Sequence, residues 1–336
     1  MLEKFIKYKN LKSFSLKSNI FLSGLLRFPV LIFDFLSIRL IYLYLDDTNY
    51  GILITLYSIS SWMSFVKLGF GKTLVTKISE SIAKGSKKKA KSLISTAFTF
   101  VSIFTIFLIL VILVSNYFIN FSNLINIPNS IKQEFDLLLI YVLIFALVQY
   151  SFEIIKSVFI AINLAYIQNL IDFISSSTIL LLILYLTKTF EKSIFLVGFS
   201  RSLVLAIVPV IISIVFFNFI DKELKPELSF FKFSALKEIW KLSWKFFLIQ
   251  AFATIIFSTD GIIINQILGP SSVATYDLSS RYFRILAITL SLFVPFWSNF
   301  AKANALSDFK LLNLTLKKFL LSSIPVVPIC LIMVFL

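Results

Sequence analysis

The stretch "FLSGLLRFPVLIFDFLSIRL", Phe21 to Leu40, decides the class of fold, because it has the length and hydrophobicity of a membrane-spanning helix. It also carries Arg27, Asp34 and Arg39. An ion in the hydrocarbon core costs about 3 kcal/mol or more unless it faces protein or water. These three charges therefore raise the question of whether the span borders a polar interior.

The rest of the chain has the same character as this stretch. Of its 336 residues, 58% are hydrophobic and 15% are charged, and the mean hydropathy is +0.94. A typical soluble domain is nearer half apolar and about a quarter charged. The composition therefore predicts an all-α, polytopic membrane protein.

Two residue counts restrict the chemistry. The chain has no His and a single Cys, Cys330, which excludes an internal disulfide and a Cys/His metal site. The lack of His also removes the commonest general base and the His-dependent nucleophilic arrangements. We therefore expect no metal, no cofactor and no enzymatic activity.

Apolar runs of about 20 residues predict nine transmembrane helices. They cover 19–44, 50–70, 93–115, 137–162, 168–187, 194–217, 246–268, 280–300 and 319–336. The predicted domains are a basic amphipathic segment at 1–18, a first six-helix bundle at 19–217, a linker at 218–245 and a partial second bundle of three helices at 246–336. The first segment has no small-residue cleavage site after it, so we expect it to lie on the membrane surface and not to be a cleaved signal peptide.

The net charge of +15 is distributed unevenly across the predicted topology. Lysines concentrate in the N-terminal segment and in the loops after the second, sixth and eighth spans, as in "KGSKKKAK" at 84–91. The opposite side carries only Lys132, Lys188 and Lys192. By the positive-inside rule the N-terminus is cytoplasmic, as are the linker and the segment 1–18. Basic loops beside membrane spans usually determine topology, so we expect no nucleic-acid partner.

Some charged residues fall inside the predicted spans. The basic ones are Arg27, Arg39, Lys67, Lys156, Arg201, Arg281 and Arg284, and the acidic ones are Asp34, Glu153, Asp172 and Asp260. Several of them have an interfacial explanation. Lys67 and Arg39 lie near span ends and can extend to headgroups. For Asp172, and for Arg281 and Arg284 of the eighth span, a position at the membrane interface and a position in the interior are equally open interpretations.

The deeper charges indicate a functional interior. At 1.5 Å per residue, Arg27 lies roughly 12 Å and Asp34 roughly 22 Å from the start of their helix, on a shared face. Glu153 and Lys156 are i,i+3 neighbours and are predicted to form a structural ion pair. The charges within the spans have a positive surplus, which favours an anion in a low-dielectric cavity. Arginine suits phosphate in particular because its guanidinium binds in a bidentate fork.

The sequence also contains a parallel repeat. A first unit has a charged span, the turn "LDDTNYGIL", a second span and then a Lys-rich amphipathic stretch. A second unit repeats this order around "STDGIIINQILGPSSVATYDL" and "FAKANALSDFKLLNLTLKKFL". Two halves with a substrate site between them are a known transporter plan.

At these residues the chain resembles a known family. "LYLDDTNYGIL", "KLGFGKTLVTKISESIAKGSKKKAKSLISTAF" and "FSTDGIIINQILGPSSVATYDLSSRYFRI" are similar to polysaccharide-biosynthesis exporters of the multidrug/oligosaccharidyl-lipid/polysaccharide (MOP) superfamily, of which the O-antigen or capsule-repeat flippases (Wzx type) are the nearest branch. The resemblance implies two six-helix bundles in a V around a cationic cavity. It also implies that undecaprenyl-pyrophosphate-linked oligosaccharide crosses from the cytoplasmic to the periplasmic leaflet of the bacterial inner membrane by alternating access.

The resemblance gives the charged residues expected roles. Its substrate-binding set for the pyrophosphate and acidic sugars is Arg27, Arg39, Arg201, Arg281 and Arg284, with Asp34 and Asp260 shaping the cavity. The implied partners are the lipid-linked oligosaccharide, membrane lipids, and the polysaccharide polymerase and chain-length machinery. Two features depart from the family pattern. The second bundle is expected to be incomplete, since relatives usually have twelve or more spans, and Lys67 stands where many relatives have an acid.

Three alternatives stay open on the sequence alone. One is a cation-coupled multidrug antiporter of the same superfamily, in which Asp34, Glu153 and Asp260 carry protons or Na⁺. Another is a membrane-embedded glycan polymerase or acyltransferase, and the third is an inactive, truncated remnant. The glycan, the driving ion or potential and the oligomeric state are not specified by the sequence.

Overall fold

The computed structural model describes residues 16–118, 121–123, 127–291 and 294–323. Within these ranges the chain is helical apart from short turns, and no strand is present. The predicted all-α fold is confirmed. The α-helices are α1 (Leu16–Leu45), α2 (Asp47–Ser61), α3 (Phe70–Ala83), α4 (Lys87–Phe118), α5 (Lys132–Phe152), α6 (Ile154–Ala161), α7 (Ala165–Thr189), α8 (Ile194–Val215), α9 (Phe233–Ser258), α10 (Asp260–Leu268), α11 (Pro270–Ser291), α12 (Val294–Ala305) and α13 (Phe309–Ser323).

Seven segments are long and apolar enough to cross a membrane. They are Phe21–Leu45, Asp47–Ala83, Lys87–Phe118, Lys132–Ala161, Ala165–Thr189, Ile194–Ile220 and Phe233–Leu268. The chain is therefore a multi-pass membrane protein. The predicted eighth span, 280–300, overlaps α11 and α12, with 292–293 outside the described residues. Most of the predicted ninth span, 324–336, and most of the segment 1–18 also lie outside the described residues.

The second span is longer than the hydropathy pattern predicts. It was expected to end at residue 70, but a 3₁₀ turn, Trp62–Lys67, joins α2 to α3, and the helical segment continues to Ala83. The segment "GKTLVTKISES" is amphipathic, and its apolar side chains Leu74 and Ile78 are fully buried. Tertiary packing therefore extends a helix that mean hydropathy ends too early, and Lys67 lies midway along the segment instead of at its end.

A break with left-handed backbone geometry joins the two parts of this span. Leu68 has φ 47° and Gly69 has φ 71°. A Cβ atom on Gly69 would lie 2.2 Å from the Ser243 carbonyl oxygen of α9, so only glycine satisfies both the backbone conformation and the close helix contact. Lys67 before the break and Lys72 after it both border the space between this span and α9.

Corresponding turns of the two predicted repeat units have similar backbone conformations. Asp46, between α1 and α2, has φ 78° and ψ 169°, and Gly269, between α10 and α11, has φ 84° and ψ 171°. At the opposite end of the molecule, Gly85 before α4 and Ser307 before α13 both have positive φ. Thus α1–α4 correspond to α9–α13. We refer to the two ends as the Asp46 side and the Gly85 side.

Most of the buried core lies in the first bundle. Helix α1 packs along α7, and α5 packs along α8. Large apolar side chains such as Phe70, Phe135, Phe159 and Phe216 fill the space between these helices. The connection from α8 to α9 docks on α4 through Lys91–Glu227 and through the bond from the Glu227 amide to Ser95. Helix α9 already begins at Phe233, inside the segment predicted as linker.

The two repeats meet along the second span and its counterpart, since α2 packs on α11 and α3 packs on α12. On the Asp46 side the approach is close, because a Cβ atom on Gly51 would lie 1.8 Å from the Pro270 carbonyl oxygen. Tyr50 donates to Asp277 at 2.8 Å, and Arg281 donates to the same carboxylate at 2.6 Å. The repeats are therefore in direct contact on this side.

The substitution Gly51→Ala is expected to separate the repeats on the Asp46 side. The clash involves backbone atoms, which no rotamer change relieves. In a Cys330→Ser background, disulfide formation between cysteines introduced at Thr48 and Ser271 measures this contact, since the two hydroxyls lie 3.4 Å apart. We expect Gly51→Ala to lower the yield several-fold and Gly24→Ala, where a Cβ meets no other atom, to leave it unchanged. Equal yields would show that the contact adjusts freely.

Candidate functional site

A cavity of 660 Å³ lies between the first bundle and the second repeat. Its first wall comes from the 3₁₀ turn, α3, α6 and the start of α7, and its second wall comes from α9 and α12. The volume is in the usual range for small-molecule sites. The charged side chains of the lining are Lys67, Lys72, Glu153 and Lys156.

A chain of alternating charges runs from this cavity into the first bundle. Lys67 Nζ lies 3.3 Å from Glu153 Oε2, and Glu153 Oε1 lies 3.1 Å from Lys156 Nζ. Lys156 Nζ then lies 2.9 Å from Asp172 Oδ1, and Asp172 Oδ2 lies 3.0 Å from Arg27 Nη1. We call these five side chains the charge network. It contains three cations and two anions, so one positive charge is left over.

Helix breaks place the network at the cavity. Lys67 ends the 3₁₀ turn, and Glu153 lies at the junction between α5 and α6. Interrupted helices at membrane depth are tolerated where they are buried in protein or border a cavity. The five side chains are each only 17 to 26% exposed, so their mutual attraction is screened less than at a surface. The network therefore holds Lys67 and Lys156 at the cavity, and Arg27 behind them, at a tolerable desolvation cost.

Lys72 is the lining cation outside the network. It forms no ion pair within the part of the chain that the structure describes, and its Nζ lies 5.1 Å from the centroid of the Trp297 ring. The Trp297 indole donates to Thr76 Oγ1 at 3.2 Å, which fixes the ring beside the lysine. Lys72 is thus presented to the cavity without a competing carboxylate.

The second wall has a different chemistry. Phe246 and Trp297 pack edge to face with centroids 5.9 Å apart. Gln250 also lines the cavity, and its Nε2 donates a hydrogen bond to the Ser64 carbonyl oxygen at 2.9 Å. The amide oxygen of Gln250 takes no part in this bond. The cavity therefore has a cationic wall opposite an aromatic and amide wall. Such a site suits a ligand with an anionic part and a part that combines apolar faces with hydroxyls.

The predicted residues of α1 bond to α7 and do not line the cavity. Arg27 pairs with Asp172, and Asp34 accepts a hydrogen bond from Ser176 at 2.7 Å. The two share the side of α1 that meets α7, as their spacing predicts, although Asp34 is exposed and Arg27 is partly buried. Arg39 is exposed and lies on the helix face that carries the exposed Phe35 and Leu43, so it faces away from the network.

The other predicted site residues are spread over three places. Arg201 lies over the Tyr57 ring, with Cζ 4.8 Å from the centroid, and lines a smaller cavity inside the first bundle. Arg281 pairs with Asp277 at the contact between the repeats. Asp260 begins α10 and accepts a hydrogen bond from Tyr276. The side chain of Arg284 lies outside the described residues.

Glu153 and Lys156 form an i,i+3 ion pair, but the pair is part of the larger network. The positions of Lys67 and Lys72 at the cavity and of Asp172 in the network were not predicted from the sequence. Lys67 was expected near a headgroup and Lys72 in a cytoplasmic loop, because the second span was predicted to end at residue 70. The available signal was the "KLGFGK" stretch at 67–72, where two glycines between two lysines indicate a helix break with adjacent charge.

Within the described ranges, no group of three or more His, Cys, Asp or Glu side chains is positioned to hold a metal ion. The acids of the network instead have lysine and arginine partners.

Two repeats meeting at a charged cavity beside broken helices define the class of architecture found in repeat-built membrane transporters. More particularly, the fold is that of the MOP superfamily. A MOP superfamily transporter from Pyrococcus furiosus, described by the reverse polarity of its binding pocket, superposes with a TM-score of 0.74 at 13% identity, over 93% of this chain and 70% of that one.

Two further solved structures have the same fold. A multidrug resistance MATE family transporter in an outward-facing conformation gives a TM-score of 0.70 at 13% identity, over 93% of this chain and 70% of that one. The Vibrio cholerae MATE transporter VcmN in a bent form gives 0.66 at 15% identity, over 90% and 70%. No family model and no curated protein matches the chain. At these identities the likeness shows the fold alone.

Proposed function

We propose that the chain is a transporter that moves a glycan linked to a polyisoprenoid diphosphate across the bacterial inner membrane, from the cytoplasmic to the outer leaflet. The observation that carries this proposal is the cavity between the repeats, whose lining has three lysines and one glutamate. In this orientation the Gly85 side is cytoplasmic, in keeping with the lysine-rich "KGSKKKAK" stretch there.

The two walls fit the two parts of such a substrate. Lys67, Lys72 and Lys156 supply positive charge for a diphosphate, and a low-dielectric cleft strengthens this attraction. Trp297 and Gln250 on the opposite wall suit the apolar faces and hydroxyls of the first sugars. The polyisoprenoid chain requires no protein pocket, because it remains in the bilayer.

The contact between the repeats supports alternating access. Close packing at Gly51 and the Tyr50–Asp277–Arg281 cluster join the repeats on the Asp46 side, whereas the cavity lies nearer the Gly85 side. A substrate would therefore load from the cytoplasmic leaflet, and release would require the Asp46-side contact to open.

A reconstitution assay tests the proposal. The full chain is placed in lipid vesicles with a fluorescent undecaprenyl-diphosphate oligosaccharide, and the fraction of label accessible to an external quencher is followed over time. We expect equilibration much faster than in protein-free vesicles, with inhibition by unlabelled substrate. A rate equal to that of protein-free vesicles would contradict the proposal.

Cation-coupled multidrug antiport is the second candidate function. It is favoured by the fold shared with multidrug MATE transporters and by Asp34, which has a Ser176 hydrogen bond but no ion pair in the ranges described. For the transporter from Pyrococcus furiosus, the reverse polarity of the binding pocket is described as suggesting a different function. Resistance of cells to a panel of toxic organic cations, abolished by Asp34→Asn, would favour antiport.

A further inference from the structure

The start of α9 extends beyond the hydrocarbon core of the membrane. The span Phe233–Leu268, formed by α9 and α10, has 36 residues. At 1.5 Å per residue it is about 54 Å long, whereas the hydrocarbon core is about 30 Å thick. Glu238 pairs with Lys89 at 2.9 Å, close to Gly85, so the start of α9 lies on the Gly85 side. Because the apolar run of this span begins only at residue 246, the earlier turns of α9 lie at the level of the lipid headgroups on that side.

These earlier turns carry a stripe of basic residues. The lysine stripe consists of three exposed side chains at successive turns of the helix, Lys237, Lys241 and Lys245. Successive members are about 6 Å apart along the helix axis. In the described ranges none of them forms an ion pair, whereas Lys87, Lys89 and Lys91 of α4 each bind a glutamate. Like charges at i,i+4 destabilise a helix, so an anion from outside the described chain would stabilise this one.

Aromatic side chains accompany the lysine stripe. Phe233, Trp240 and Trp244 are spaced i, i+7 and i+11, so they share one face of α9, and all three are exposed. Trp240 also packs edge to face on Phe70, with the ring centroids 6.2 Å apart, which fixes its position. Lys241 lies three positions before Trp244 and is its neighbour on the helix surface. Indole rings are enriched where a membrane meets water, so rings beside ammonium groups suit a lipid better than a soluble anion.

This face is distinct from the cavity between the repeats. Gln250, which lines that cavity, is nine positions beyond Lys241. Nine residues make about two and a half helical turns, so the two side chains leave opposite sides of α9. The lysine stripe is therefore not part of the proposed transport site.

We propose that the lysine stripe binds an anionic phospholipid of the leaflet on the Gly85 side, with the lipid phosphate on the lysines and the acyl chains against Trp240 and Trp244. Lysines near a membrane surface attract anionic lipids. A zwitterionic lipid is a weaker partner, because its own ammonium group offsets the charge of its phosphate. The bound lipid would fix the start of α9 at the membrane surface. It would thereby also hold the aromatic wall of the cavity, which continues along the same helix at Phe246.

Quenching of tryptophan fluorescence reports the lipid next to this face. The chain has four tryptophans, so Trp62→Phe combined with Trp297→Phe leaves Trp240 and Trp244 as reporters. The full chain is reconstituted in phosphatidylcholine vesicles with rising fractions of dibrominated phosphatidylglycerol, and separately of dibrominated phosphatidylcholine. We expect an association constant for phosphatidylglycerol about fivefold or more above that for phosphatidylcholine, since one lysine near the surface contributes about this factor.

Two triple variants in this background make the result specific. The stripe variant replaces Lys237, Lys241 and Lys245 by glutamine and should remove the preference for phosphatidylglycerol. The control variant removes the same charge from three exposed lysines of α13 and should keep the preference; its substitutions are Lys310→Gln, Lys317→Gln and Lys318→Gln. If the stripe variant cannot be purified, Lys241→Gln decides, and it should lower the association constant severalfold.

The outcomes separate this inference from the proposed function. Lys72→Ala should keep the lipid preference even if it no longer moves glycan. Equal quenching by the two brominated lipids, or an unchanged preference in the stripe variant, would overturn the inference. Relief of the quenching by a small fraction of unlabelled undecaprenyl-diphosphate oligosaccharide would also overturn it, because the lysine stripe would then bind the substrate and not a phospholipid.

Discussion

Replacing Lys72 by alanine is expected to slow glycan translocation in reconstituted vesicles by about ten- to a hundredfold. A hydrogen bond to a charged group contributes about 1.5–3 kcal/mol, and a factor of ten corresponds to about 1.4 kcal/mol. Lys72 is the lining lysine without a carboxylate partner in the described ranges, so its charge is the most available to a diphosphate. The measurement is the initial rate of label transfer at subsaturating substrate.

Matched variants make the result specific. Lys88→Ala removes a lysine that is exposed at the start of α4, outside the cavity, and should keep the wild-type rate. Lys72→Arg keeps the charge and should retain much of the activity. All variants must insert and purify equally. A Lys72→Ala rate within twofold of wild type would remove Lys72 from the substrate site and weaken the case for an anionic substrate.

Much of the architecture could be predicted from the sequence, because bilayer thickness imposes a strong pattern. The apolar runs predict the described spans, and the paired turns around Asp46 and Gly269 reveal the repeat before any contact is known. Mean hydropathy gave the wrong end for the second span, because α3 is amphipathic. Its polar side chains lower the mean hydropathy, although its apolar side chains Leu74 and Ile78 are buried.

The positive charge of the candidate site was easier to predict from the sequence than the residues that form the site. A surplus of positive charge within the spans is a property of composition, and it does not depend on which side chains meet. The pairings do depend on the packing of distant helices: Arg27 meets Asp172, 145 positions away, and Lys67 meets Glu153, 86 positions away. No local spacing rule contains these contacts, so Arg27 and Arg281, which looked like ligands, are paired while Lys72 lines the cavity.

The network also shows why counting charges is insufficient. Glu153 and Asp172 each bind two cations, and this sharing keeps three positive side chains close together without strong mutual repulsion. A substrate diphosphate would compete with these carboxylates for Lys67 and Lys156. In the proposed transport cycle, the network would therefore both support the cationic wall and compete with the substrate, which would keep binding weak enough for release.

The substitution Asp172→Asn is expected to lower the free energy of unfolding by about 2 kcal/mol or more. Breaking a buried ion pair by removing one partner costs about 3–5 kcal/mol, and the partial exposure of this pair reduces that figure. The variant leaves Arg27, Lys156 and Lys67 with Glu153 as their remaining network anion, so the surplus charge rises by one. Arg27→Gln should cost less, because Asp172 keeps its contact with Lys156 at 2.9 Å.

The double variant Arg27→Gln/Asp172→Asn distinguishes an ion pair from general damage. It restores the original surplus of one positive charge and leaves Lys67–Glu153–Lys156 intact, so its stability should return to within about 1 kcal/mol of wild type. Unfolding in mixed micelles with increasing detergent denaturant gives the required free energies. The exposed pair Lys87–Glu223 serves as the control, since surface pairs contribute about 1 kcal/mol or less. Additive losses in the double variant would show that the two residues act independently and that the charge network does not support the cavity wall.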